Sequence, residues 1–151
     1  MYHFDERGKN MERKKMIKLI IGALAVITLI VGFITAVSAD EPDGSTPEAI
    51  IEFLSDNGYT VSSPVTKKVT IPSEFSDVYE NYNELQKKQG FDLSKYKGET
   101  AVSYTFTVIG YVDKNGETQS NVQAHVLVCD GKIIGGDIAS TELDGFMVGI
   151  R

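Results

Sequence analysis

Thr100-Ala101-Val102-Ser103-Tyr104-Thr105-Phe106-Thr107-Val108 decides the fold. Val102, Tyr104, Phe106 and Val108 alternate with Ser103, Thr105 and Thr107, the period of two that gives an extended chain one apolar and one wetter face. Downstream, Asp113-Lys114-Asn115-Gly116-Glu117 reads as a turn, because Asn-Gly accepts positive φ. Val122, Ala124, Val126 and Val128 then point one way and Gln123, His125 and Leu127 the other. Asp130-Gly131 is a two-residue hairpin signal before a strand over 132–138, in which Gly135-Gly136 marks a bulge or a close backbone approach. Leu143-Asp144-Gly145-Phe146-Met147 is expected to fold back over a core edge.

Upstream, the pattern is helical. Thr46 can cap a helix with Pro47 at its first position and Glu48 beside the positive end of the dipole. Ala49, Ile50, Phe53 and Leu54 form its apolar stripe, and Gly58 supplies the exit. After a short extended stretch over 59–62, residues 65–71 read as an edge strand closed by Pro72. A second helix is expected from a Ser73 cap to Gly90, with Phe75, Val78, Tyr79, Tyr82 and Leu85 inside and Glu80, Asn81, Asn83, Glu84, Lys87 and Lys88 outside. Phe91 to Gly98 is a connector anchored by Phe91, Leu93 and Tyr96. Together these elements predict an α+β domain over 46–151, with two helices packed on one face of a twisted antiparallel sheet of about four strands.

The first forty residues are of another kind. The chain has 151 residues and a formal charge of −6, but residues 1–39 carry six basic groups against three acidic ones. Residues 40–151 carry eighteen acidic groups against nine basic ones. After a basic stretch over 12–18, Leu19 to Val37 runs without a charge, followed by Val37-Ser38-Ala39 with small residues where a signal peptidase accepts them. Residues 11–39 therefore read either as a long signal peptide cleaved after Ala39 or as a single-pass anchor holding the membrane through residues 19–37. Either way the basic flank stays inside and the acidic domain is placed outside the cytoplasm, secreted or membrane-anchored. Residues 40–45 read as a linker, and residues 1–10 as disordered or as a start-site artefact ahead of a true start at Met11.

Three stretches, 89–98, 126–137 and Asp144-Gly145-Phe146-Met147, resemble an uncharacterised family of Firmicutes proteins that pair an N-terminal membrane segment with a small domain of unknown function. The resemblance covers most of residues 46–150. It implies a Gram-positive, extracytoplasmic setting and assigns no catalytic residue.

Constellations that could carry chemistry are sparse. Ser94-Lys95-Tyr96-Lys97 has a Ser-x-x-Lys spacing but lies in the connector, without the further motifs that chemistry requires. Asp113 to Glu117 places its glycine fourth, against the sixth position of an EF-hand loop, and reads as a hairpin turn. His125 and Cys129 share a strand face but lie roughly 13 Å apart along it, too far to share a metal. A lone Cys129 makes neither a disulfide nor a thiolate metal site. The acidic balance disfavours nucleic acid. A site built on His125 would require a carboxylate and a hydroxyl within hydrogen-bond reach. No cofactor and no catalytic residue is assigned. Gly135, Gly136, Asp137, Phe146 and Met147 form the candidate interaction surface, and Tyr79, Tyr82, Tyr96, Tyr104 and Tyr111 are possible aromatic contacts for sugars. The expected function is a non-enzymatic extracytoplasmic binding or interaction module, with an envelope protein or glycan as partner. The alternatives are a small cell-envelope hydrolase and a regulatory domain restraining a partner enzyme.

Overall fold

The computed structural model describes residues 41–151, which form one compact unit. The expectations for residues 1–40, including the Met11 start, the apolar run and the Ala39 cleavage, lie outside the described residues. Among the described residues, no helix is long and apolar enough to cross a membrane.

The architecture is α+β: two helices and an open antiparallel sheet of six strands, more than the four expected. In chain order these are α1 (Pro47–Asp56), β1 (Thr60–Val61), β2 (Val65–Thr70), α2 (Asp77–Lys88), a single 3-10 turn (Leu93–Tyr96), β3 (Thr100–Ile109), β4 (Val122–Cys129), β5 (Lys132–Ser140) and β6 (Met147–Val148). β1 and β2 both pair with β3, at different ends of it, so the extra strands are one edge interrupted at Ser62-Ser63-Pro64 and a short β6 on the other side. At the interruption Ser62 substitutes for the missing ladder: its N–H donates to Thr107 O, and its Oγ accepts from Thr107 N–H.

The alternation of β3 and β4 builds two cores instead of one. Phe106, Val108, Val122, Ala124, Val126 and Val128 are buried with Ile50, Phe53 and Leu54 of α1. Leu127, Cys129, Ala101 and Ile134 form a second cluster, against which Phe75, Tyr79 and Tyr82 pack. Neighbouring residues of a strand point to opposite faces, so α1 and α2 cover opposite faces of the sheet. The expectation that both helices share one face is thereby corrected. The physical reason is that Leu127, Cys129 and Ile134 give the face assigned to solvent enough apolar surface to need its own helix.

α1 is capped as expected, with Thr46 Oγ1 accepting the Ala49 N–H and Pro47 at the first turn. α2 begins later than expected: Ser76, not Ser73, is the cap, its Oγ accepting from Tyr79 N–H. Phe75 instead sits before the helix and folds onto Tyr79, their ring centroids 4.6 Å apart. The helix is also rotated from its expected orientation. Val78 is 80% exposed, whereas Asn83 and Gln86, polar residues, are fully buried. Asn83 is satisfied by the connector: its Nδ2 donates to Asp92 Oδ1 and its Oδ1 accepts from Leu93 N–H. Residues 42–44, read as linker, are part of the packing, with Ile133 N–H donating to Pro42 O and Gly44 N–H to Gly131 O.

Candidate functional site

The β4–β5 hairpin sets the site. Asp130 and Gly131 both have positive φ, as a two-residue turn of this hand demands. Cys129 pairs with Lys132 and Val128 with Ile133, but Leu127 pairs with Gly135, so Ile134 is an extra residue in β5. This bulge shifts the register by one and places Asp137 opposite His125. Without it, His125 would face Gly136, and Asp137 would fall opposite Ala124 on the other side of the sheet.

The resulting pair is close. His125 Nδ1 lies 2.9 Å from Asp137 Oδ1, and Tyr82 Oη of α2 donates to Asp137 Oδ2 over 2.8 Å. Asp137 is 3% exposed, while the His125 side chain keeps 31% of its surface. The hydrogen bond that the imidazole donates to Asp137 raises its pKa above the ordinary value, and this outweighs the opposing effect of burial. Burial, followed by the nearby Asp137 charge, pushes the Tyr82 phenol well above its usual range. The carboxylate thus fixes the ring orientation through Nδ1, and Tyr82 acts as a neutral donor that ties α2 to β5. His125 has the carboxylate that a hydrolytic site needs, but the hydroxyl in the cluster is bonded to the carboxylate and not to the imidazole.

Tyr82 also lines a groove of about 520 Å³ with Val78, Tyr79, Asn81, Leu85 and Met147. Met147 is 53% exposed. Its register partner is Ala139, two residues along β5 from Asp137, so the groove and the hydrogen-bonded cluster adjoin on one face. The elements that form it carry Asp77, Glu80 and Glu84 with Lys87 and Lys88 on α2, and Glu142 and Asp144 before β6. Of the α2 lysines, Lys87 is bonded to Glu84 at 2.9 Å.

The residues expected to form an interaction surface divide. Gly135, Gly136 and Asp137 are buried, which removes them from the surface. A close backbone approach at the glycines does occur, but from within the chain. Gly136 N–H donates to Gln86 Oε1 over 2.8 Å and Gly136 O accepts from Gln89 Nε2 over 3.0 Å, while Gln89 Oε1 takes the Ile150 N–H. Phe146 is half-buried and stacks on Tyr111 with centroids 5.2 Å apart. Met147 alone of the five is openly exposed. Sequence reasoning named Tyr82 only as an aromatic contact for sugars and passed over Gln86 and Gln89, since their partners lie about fifty residues away. Cys129 is buried, and among the described residues no three His, Cys, Asp or Glu side chains are placed to hold a metal. Ser94 N–H and Oγ both donate to Asp92 Oδ1, the cap of the 3-10 turn, so the Ser-x-x-Lys spacing belongs to that turn. Asp113 Oδ1 accepts the Asn115 and Glu117 N–H groups, as a hairpin turn requires.

No curated protein and no solved structure matches the chain. One family model, that of a domain of unknown function, does match, over residues 53–138. That span includes Tyr82, Gln86, His125 and Asp137 and ends before Met147. By that match, which takes in more than half of its length, the chain belongs to the family of the domain of unknown function DUF4830.

Proposed function

We propose that this domain is a non-enzymatic binding module, displayed outside the cytoplasm of a Gram-positive cell by residues 11–39, and that its contact surface is the groove between α2 and β6. The observation carrying this reading is that exposed Val78 and Met147 line one apolar groove together with Tyr82, which is bonded to Asp137. Exposed apolar side chains gathered in one depression mark a contact surface more often than scattered ones do. The occupant is a basic amphipathic segment of a partner protein. Apolar side chains would fill the groove, and lysines or arginines would meet Asp77, Glu80, Glu84, Glu142 and Asp144.

The hydrolase alternative draws on the His125–Asp137 contact. It is the weaker reading because Tyr82, the hydroxyl in the cluster, is spent on the carboxylate, and its raised pKa makes it a poor nucleophile. A regulatory role restraining a partner enzyme is compatible with the same groove.

The test titrates the full chain with an amphipathic leucine–lysine peptide and with its leucine–glutamate counterpart. The lysine peptide is expected to bind, and both Val78→Glu and Met147→Glu to abolish binding while making the rim more acidic. Stronger binding by those variants would reduce the interaction to bulk charge, and preference for the glutamate peptide would refute the assigned partner.

A further inference from the structure

A second cleft, of about 410 Å³, shares no residue with the groove. It lies between the end of α1 and the end of β3, and its lining includes Asn57, Gly58, Tyr59, Thr60, Gly110 and Tyr111. The volume falls within the range of about 300–1,000 Å³ typical of small-molecule sites.

The lining mixes these polar and aromatic groups with the aliphatic Val108, Ile109 and Val112. None of the lining residues is an acid or a base charged at neutral pH, although the domain around it is strongly acidic. The Tyr59 and Tyr111 rings are parallel to within 5°, with centroids 6.5 Å apart, and both residues are half-buried. Phe146 stacks on Tyr111 and fixes that ring. Burial, and then the neighbouring Tyr111, raises the Tyr59 phenol above its ordinary pKa, so it remains a neutral donor and acceptor. Asn57 spends its Nδ2 on Phe53 O, leaving its Oδ1 as an acceptor. Gly58 and Gly110 both adopt positive φ, and a Cβ on either would meet open space, so the backbone at the cleft is accessible.

From these features we infer that the cleft between α1 and β3 binds a neutral saccharide. A sugar ring presents an apolar C–H face and a rim of uncharged hydroxyls. The half-buried Tyr59 ring and the Val108, Ile109 and Val112 side chains suit the first, and phenol, amide, threonine and backbone groups suit the second. A purely apolar ligand would leave those polar groups without partners. An anionic ligand would enter a negative field with no cation in the cleft to receive it. The inference is independent of the groove proposed above and survives its failure.

The test uses the full chain in a zwitterionic detergent free of sugar headgroups. The chain has seven tyrosines and no tryptophan, so the part of the emission change that is lost in Tyr59→Ala reports on the cleft. Titrations with the N-acetylglucosamine trisaccharide, cellotriose and maltotriose are compared with anionic trigalacturonate. At least one neutral trisaccharide is expected to bind at millimolar concentration or below and to alter tyrosine emission, with trigalacturonate weaker. Tyr59→Ala is expected to lower affinity by about tenfold, the size of one lost aromatic contact. Gly110→Asn, which the left-handed backbone tolerates, is expected to block the cleft with the melting temperature retained. If Tyr59→Ala fails to fold, Gly110→Asn decides alone. Absence of binding by every neutral saccharide, tighter binding of trigalacturonate, or unchanged binding in a folded Gly110→Asn would overturn the inference.

Discussion

His125 and Asp137 face each other across β4 and β5, with Nδ1 and Oδ1 2.9 Å apart, because one extra residue at Ile134 shifts the register between the hairpin turn and the pair. The contact therefore belongs to the bulge as much as to the two side chains. It lies beneath α2, where Tyr82 bonds the second carboxylate oxygen.

The pair makes stability depend on pH. Asp137 raises the His125 pKa in the folded state, so the protonated imidazole favours folding. That contribution is fully present below the ordinary histidine value of about 6.5. It is lost as pH rises through the raised folded value. His125 is the only histidine in residues 41–151, so a decline in melting temperature above that pH is assigned to it. Asp137→Asn should flatten the decline, and a slope persisting in His125→Gln would refute the assignment.

Tyr82→Phe should destabilise the domain by about 1.5–3 kcal/mol, the range for a hydrogen bond to a charged partner. Asp137→Leu should cost more, because it removes the partner of both the Tyr82 hydroxyl and the His125 Nδ1. Urea denaturation of the two variants tests the order.

The glutamines should rank too. Gln89→Leu leaves Gly136 O and Ile150 N–H without their partners, at about 1–3 kcal/mol for each stranded group. Gln86→Leu strands only Gly136 N–H and removes a buried Nε2 that has no partner among the described residues. Gln89→Leu is therefore expected to be the more damaging by chemical denaturation. Gly136→Ala should not fold, since its Cβ would collide with His125 O and Ile150.

Cys129 should be slow to react with thiol reagents in the native protein. It is buried, its Sγ lies 3.7 Å from Thr100 O, and burial raises its pKa and keeps the thiolate scarce. Ellman kinetics with and without denaturant check this, and fast native labelling would count against the second core as described.

Protease added to intact spheroplasts is expected to degrade residues 41–151, as the proposed export requires. Complete protection in spheroplasts, with digestion after lysis, would place the domain on the inner side.

Alternation on β3 and β4 was legible because a period of two needs no knowledge of the partner strand. The Thr46-Pro47 helix start was legible for the same local reason. The failures were of longer range. Ser73 and Ser76 are both acceptable caps, and the contact of Phe75 with Tyr79 favours the second. Asn83 and Gln86 look like surface residues until the connector and β5 arrive to bond them. The Gly135-Gly136 pair signalled an irregular strand, but the bulge that brings Asp137 to His125 was not placed, since its position is set by pairing and not by composition. Leu127 and Cys129 were visible on the wetter face without announcing that a helix would cover them.

Gln86 and Gln89 give this sheet an asymmetric future. Their carboxamides occupy the backbone groups of Gly136 that a further strand would need, so the molecule cannot lengthen its sheet at that point of β5. The opposite border is different: β2 is almost wholly exposed and carries Lys67 and Lys68 side by side. Adjacent like charges there discourage a second copy from docking edge to edge. Gly136 is thus closed to a further strand by hydrogen bonds from its own chain, and β2 is defended by charge, so neutralising the lysine pair should matter more for solubility than for folding.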